Sequence, residues 1–316
     1  MSAEDLVKGV LGGDRRSVAR AISMVEDGAD GLAELSAGLY PHTGSAYTIG
    51  LTGSPGVGKS SLAAQLVQAV RQRDLSIAVL AIDPTSPFTG GALLGDRLRM
   101  QSHATDPGVF IRSMATRGHL GGMALAAPEA VRILDASGKD IVVVETVGVG
   151  QAEVEVAHAT DTTLVVVSPG WGDAVQVAKA GILEIADVFV VNKSDKEGAG
   201  EAARDLRHML KMGAEMPWTP PVVQTSAATG EGVEELWGAI EEHRKHLEST
   251  GRGQELRRAR LLAEVEEMAS QALKERVHAI VDGDPKLGDE LLDRSTDPYQ
   301  AVGMLVERVQ RGDQGE

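Results

Sequence analysis

The chain has 316 residues, a formal net charge of −15 and no cysteine, with a pI near 5.0. That length can bury a full core without metal or disulfide staples, and the lack of cysteine excludes disulfides and thiolate metal sites and fits a reducing compartment. The acidic balance argues against nucleic acid or an anionic membrane as the main partner, since both reward clustered Lys and Arg, and nine aromatic residues are too few for base-stacking platforms.

Met1-Ser2-Ala3-Glu4-Asp5 is acidic where a secretory signal would be basic, and no apolar run approaches the roughly 20 residues that span a bilayer. A soluble cytoplasmic protein is expected. Residues 1–44 read as an N-terminal helical extension: Leu6, Val7, Val10 and Leu11 share one helical face, Val18, Ala21, Ile22 and Val25 repeat the pattern, and Pro41-His42-Thr43-Gly44 ends it. From Tyr47 the pattern changes to short β-branched runs. Expected strands are Tyr47–Thr52, Ile77–Ile82, Val109–Arg112, Ile141–Val144, Thr163–Val167, Val188–Val191 and Val222–Thr225. Several are apolar throughout, which strands buried on both faces of a parallel sheet require. The expected fold is therefore α/β, a mostly parallel sheet flanked by helices over residues 45–250.

A helix over Glu231–Ser249 closes that domain, Gly251-Arg252-Gly253 reads as a hinge, and residues 251–316 form a C-terminal helical region. There Leu262, Val265, Ala269, Ala272 and Leu273 make an apolar stripe, open to two readings: intramolecular core or subunit interface. Arg257-Arg258-Ala259-Arg260, balanced by Glu264, Glu266 and Glu267, reads as a solvated helix face. His243 and His246 likewise read as a solvated pair on a charged helix.

The chemistry concentrates in Gly53-Ser54-Pro55-Gly56-Val57-Gly58-Lys59-Ser60, a phosphate-loop pattern between a strand and a helix that opens with Ser61. Glycines let the backbone curl until several N–H groups converge on phosphate oxygens. Lys59 would reach the outer phosphates, Ser60 would hold magnesium, and the helix N-terminus favours anions. Glu145-Thr146-Val147-Gly148 follows a buried strand, where such enzymes place an acid that supports the metal and a glycine that senses the γ-phosphate. Asp83 ends another strand, and Asp96 follows in a Gly-rich stretch. These acids suit a hard cation that takes oxygen ligands, although Asp96 alone also admits a helix cap or a salt bridge to Arg99. Asn192-Lys193-Ser194-Asp195 has the form of a guanine reader. Asp195 would accept from the ring N–H and exocyclic amine of guanine, which adenine does not present. Ser226-Ala227 would supply a second base contact through a backbone N–H. Gln151 is the candidate for orienting the attacking water, though it lies three residues beyond Gly148. Two Gly- and Pro-rich loops, around Asp83–Gly91 and Ser168–Asp173, are expected to change shape with the γ-phosphate. Trp171 in the second is either a partner contact or a packing plug.

Gly53–Ser60, Asp83–Pro87, Gly90–Arg97, Glu145–Gln151, Pro169–Lys179 and Asn192–Asp195 together resemble the methylmalonyl-CoA-mutase-associated GTPases of the MeaB/ArgK/MMAA type, which are SIMIBI-class P-loop GTPases, over about residues 1–280. The resemblance implies a magnesium-dependent GTPase that dimerises and guards an adenosylcobalamin-dependent mutase, gating cofactor loading and limiting inactivation. It implies Lys59 and Ser60 as phosphate and magnesium residues, Asp83, Asp96 and Glu145 around the metal, and Asn192, Lys193 and Asp195 on GTP or GDP. It also implies a partner-coupling switch in Pro169–Lys179, with Asp173, Gln176 and Lys179. Ala152 departs from the Ser expected after Gln151, with no consequence for the chemistry. Two rivals follow. A nickel-insertion GTPase for hydrogenase or urease would carry Cys or His clusters, and cysteine is absent. A kinase of a transport-system component needs an acceptor site with a poised base, and no dedicated candidate is visible.

Overall fold

Apolar alternation on both faces explains why the strands form one sheet with helices on each side. In β2 (Ile77–Pro84) and β4 (Ile141–Thr146), Ala78, Leu80, Ile82, Val142 and Val144 point into one core, while Ile77, Val79, Ile141 and Val143 point into another. The computed structural model describes residues 2–84, 105–116, 123–146, 156, 159–169, 182–213 and 216–312. Among these, β1 (Tyr47–Thr52), β2, β3 (Val109–Thr116), β4, β5 (Thr162–Val167), β6 (Val188–Asn192) and β7 (Val222–Thr225) form a seven-stranded sheet in the order β3-β2-β4-β1-β5-β6-β7. Every pairing is parallel. The expected strands are all present, several extended by one or more residues at an edge. The extensions include Asp83, Glu145 and Asn192, polar residues that hydrophobic patterning alone leaves outside a strand.

The first core lies under α1 (Ala3–Leu11), α2 (Arg15–Asp27), α3 (Leu32–Leu39) and α5 (Met123–Ala136). Leu6, Val10, Val18, Ile22, Val25 and Leu35 meet Ile133, Leu134 and the β2–β4 face there. Ser2 caps α1 in a reciprocal box with Asp5, which satisfies two orphan donors. The second core packs α4 (Lys59–Arg71) and α8 (Val233–Thr250) on the opposite face, through Leu62, Leu66, Leu236 and Ile240. A third, smaller cluster holds α7 (Ala199–Met212) against β5 and β6. The four-residue α6 (Ile182–Ile185) precedes β6.

The amino edge of the sheet carries buried polar groups that sequence patterning assigns to solvent. Asp161, 4% exposed, accepts from Arg257 Nε at 3.1 Å and Nη2 at 2.9 Å, from Arg260 at 3.2 Å and from the Thr48 N–H at 3.1 Å. Burial by itself would raise the Asp161 carboxyl, but the Arg257 hydrogen bond and the two guanidinium charges hold it below the usual range. Of the three arginines in the basic cluster Arg258 is exposed and Arg257 and Arg260 are half-buried, because a buried carboxylate needs charged donors close by. His243 is also buried, 2% exposed. Its Nδ1 contacts the Thr162 hydroxyl at 2.8 Å and its Nε2 lies 3.3 Å from Asp187, while Trp218 packs against its ring. Burial drives His243 down to about 4 and Asp187 up to about 7.

The chain divides into two compact units, Met1–Arg260 and Leu261–Glu316. The expected hinge is a single turn: Gly251, φ 72°, caps α8, and α9 (Arg252–Asp282) starts at the next residue. The second unit contains the rest of α9 with α10 (Pro285–Leu292) and α11 (Pro298–Arg311), around a small core of Ile280, Leu287 and Ala301. Arg308 pairs with Asp284 at 2.7 Å. Leu262, Val265 and Leu273 of the apolar stripe are exposed, Val265 to 61%, so the stripe is not part of the core of the second unit.

Candidate functional site

Parallel register delivers the motif residues to the carboxyl edge of the sheet, where open α/β folds bind ligands. Leu51, near the end of β1, is level with Glu145 of β4, and Asn192 closes β6 beside Thr225. Between β1 and α4 the phosphate loop turns on Gly53, φ 134°, and Gly58, φ 99°. A Cβ on Gly53 would fall 2.2 Å from the Val166 carbonyl oxygen, and one on Gly58 would fall 2.5 Å from Asn192 Nδ2. Both glycines are thus required by space as well as by backbone angle.

Lys59, only 6% exposed, donates to the Gly53 carbonyl at 2.6 Å and the Ser54 carbonyl at 3.1 Å. Both carbonyls are neutral acceptors, weaker partners for an ammonium than phosphate oxygens are. Ser60 donates to Glu145 Oε1 at 2.6 Å, bringing a hydroxyl and a carboxylate together across 85 positions of sequence. A hard divalent cation prefers this donor chemistry, so the residues present fit magnesium. Beneath them the Thr146 hydroxyl donates to Thr52 at 3.2 Å. Asp83 sits at the same edge by its backbone, in register with Ala115, but its side chain is outside the described residues. Asp96, Gly148, Gln151, Trp171, Asp173, Gln176 and Lys179 also lie outside them, as do both Gly-rich loops apart from their first residues. Among the described residues no group of three or more His, Asp or Glu is arranged for a metal.

The guanine-motif residues connect to the phosphate loop directly. Asn192 Nδ2 donates to the Val57 carbonyl at 2.8 Å, and its Oδ1 accepts from the Ala227 N–H at 3.0 Å. Lys193 takes a left-handed φ of 59°, rare for a long side chain, and donates to the Gly56 carbonyl at 2.7 Å. The Ser226 hydroxyl donates to Asp195 Oδ1 at 2.9 Å and thereby holds that carboxyl below the usual carboxylate range. Asp195 itself stays exposed, with acceptor capacity left for a ligand.

Residues 18–282 match the family described as methylmalonyl Co-A mutase-associated GTPase MeaB. The chain belongs to the MeaB family. A chain of Pyrococcus abyssi named as a GTPase is 48% identical over 316 residues, 97% of this chain and 96% of its own length. GTPase ArgK of Escherichia coli is 33% identical over 94% of each chain. The mouse methylmalonic aciduria type A homolog, mitochondrial, is 33% identical over 78% of this chain and 64% of its own. The crystal structure of a LAO/AO transport system kinase matches at a TM-score of 0.72 and 25% identity, covering 98% of this chain and 97% of that one. As a MeaB-family protein the chain is a P-loop GTPase, and its ligands are GTP and GDP.

One residue of the site escaped the motifs. Gln65 of α4 donates from Nε2 to the Ala227 carbonyl at 3.1 Å. The only signal for it in the sequence is a polar side chain between Leu62, Ala63, Leu66 and Val67, which are all buried.

Proposed function

We propose that this chain couples a magnesium-dependent GTP cycle to the care of an adenosylcobalamin-dependent acyl-CoA mutase, methylmalonyl-CoA mutase being the favoured partner. The observation that carries the GTPase part is the meeting of Ser60 with Glu145 beside Lys59, joined through Val57 to Asn192. The mutase part is supported by the family description and by the name of the mouse relative. Homodimerisation is supported by the exposed stripe on α9, an apolar face larger than isolated surface residues make.

In this reading Lys59 exchanges the Gly53 and Ser54 carbonyls for β- and γ-phosphate oxygens. Charge-assisted bonds to phosphate are stronger than those to neutral carbonyls, so the exchange runs toward the ligand. The loop N–H groups hold the phosphates in line, and Asp195 with the turn at Ser226–Ala227 selects guanine. Ser60, Glu145, Asp83 and Asp96 hold magnesium, which supplies neutralisation of the charge that develops on the phosphates. Gln151 orients the attacking water, and Asp173, Gln176 and Lys179 transmit the nucleotide state to the mutase. No described helix is long and apolar enough to cross a membrane.

The test is phosphate release from GTP by the purified chain, with ATP as control, with and without a mutase from the same organism. Turnover of GTP alone at about 10⁻⁴ to 10⁻³ s⁻¹, rising when mutase is added, is the expected result. A rate of tens per second without partner would sink the coupling, and indifference to mutase would remove the partner. Transfer of the γ-phosphate to an added protein, in place of free phosphate, would favour the kinase reading that the LAO/AO transport system kinase name suggests.

A further inference from the structure

We propose that Gln65 is a positioning residue for base recognition, a fixed strut from the phosphate helix to the turn that meets the guanine carbonyl. The proposal rests on the guanine reading given above for Ser226–Ala227. The Ala227 unit is gripped on both sides: Asn192 Oδ1 takes its N–H at 3.0 Å, and Gln65 Nε2 donates to its carbonyl at 3.1 Å. The rest of the turn is closed on itself, Ser226 N–H to Glu231 and the Thr229 and Gly230 N–H groups to the Ser226 carbonyl. Ala228 is exposed, and its N–H has no acceptor among the described residues. The Ala227 unit and the outward N–H of Ala228 next to it are therefore held in part by two side chains. Asn192 ties them to Val57 in the phosphate loop. Gln65 ties them to α4, whose first two residues are Lys59 and Ser60.

A second contact shows that the fit is close. Gly230, φ 81°, comes so near that a Cβ there would lie 3.3 Å from Gln65 Oε1. The amide thus lies between the Ala227 carbonyl and the Gly230 backbone. With phosphates seated at the start of α4, Gln65 helps set how far the Ala228 N–H stands from them. That distance has to match a ligand whose phosphates and base are joined by a ribose of set length.

Gln65→Met keeps the length and helix preference of the side chain but removes the donor. The full chain and this variant are titrated by calorimetry with GDP and with 6-thio-GDP, which keeps the ring N–H and exocyclic amine read by Asp195 but offers a sulfur, a weak acceptor, in place of the carbonyl oxygen. The wild-type chain should prefer GDP. In the variant, GDP affinity should fall about three- to ten-fold, the loss expected for one neutral hydrogen bond, while 6-thio-GDP affinity stays within error, so the ratio between the two ligands collapses. Gln65→Glu, whose carboxylate cannot donate, should shrink the ratio at least as far. Equal losses for both ligands would make Gln65 a support of α4 and overturn the proposal, as would an unchanged GDP affinity. A wild-type chain that binds the two ligands equally would overturn the guanine reading of the turn, and the role of Gln65 with it.

Discussion

At the carboxyl edge of the sheet Lys59 donates to loop carbonyls and Ser60 to Glu145, whereas at the amino edge Asp161 is enclosed by Arg257, Arg260 and the Thr48 backbone. The two edges bury charge at opposite ends of β1. At the first, the described partners include neutral carbonyls and a hydroxyl, and a phosphate or a metal ion can displace these at a gain. At the second, the carboxylate has opposite charge and several hydrogen bonds, and any replacement leaves something unpaired. The difference teaches that burial of a charge does not by itself mark function. What marks it is a partner weaker than the ligand would be.

That contrast can be broken by mutation. The largest expected effect is at the amino edge: Asp161→Ala leaves Arg257 and Arg260 without their carboxylate and should lower unfolding free energy by about 3–5 kcal/mol, measured by urea denaturation, with GDP affinity of the folded fraction unchanged. A stability loss under about 1 kcal/mol would mean the network is solvated in solution. Next, Lys59→Ala should reverse the pattern. Tight GTP binding should weaken by about 30-fold or more, since it loses charge-assisted bonds of about 1.5–3 kcal/mol each, while the denaturation midpoint barely moves. Retained affinity would show that another residue carries the phosphates.

The smallest effect concerns pH. Asp187, raised to about 7, contributes stability that is full below its unfolded pKa and is lost as pH rises through 7. His243, lowered to about 4, contributes stability present above its unfolded pKa and lost as pH falls through 4. Between about pH 4.5 and 6.5 the two slopes oppose, because the folded pair and the unfolded pair each bind one proton. Asp187→Asn removes one of them. The variant should gain stability with rising pH across that window at up to about 1.4 kcal/mol per unit, relative to wild type in the same buffers. Parallel curves for the two proteins would show that the pair does not share a proton.

The carboxyl edge was legible because its chemistry is written in contiguous runs. A phosphate loop needs its glycines, Lys59 and Ser60 within eight positions, and Asn192–Asp195 needs four. The strands were legible because both their faces are apolar. The amino edge was not, since Asp161 and Arg257 lie 96 positions apart, and a basic cluster beside glutamates has the composition of a solvated face until the fold brings a buried acid to it. His243 was misread for the same reason: Glu241, Glu242, Arg244 and Lys245 around it look like solvent, yet the one helix face it shares with Ile240 and Leu247 is buried. Gln65 escaped because its partner is a backbone carbonyl 162 positions away, which no side-chain pattern records.

The packing of the first three helices has a consequence for how the chain is made. Leu6, Ile22 and Leu35 share one core with Leu134, Val142 and Val144, so the apolar face of these helices is not fully covered until β4 has been synthesised. At synthesis rates of about 5–20 residues per second, roughly 6–25 s separate Ile22 from those partners. Throughout that interval α1, α2 and α3 can pack only on one another and on β2 and β3, and the part of their apolar face that meets β4 waits for its cover.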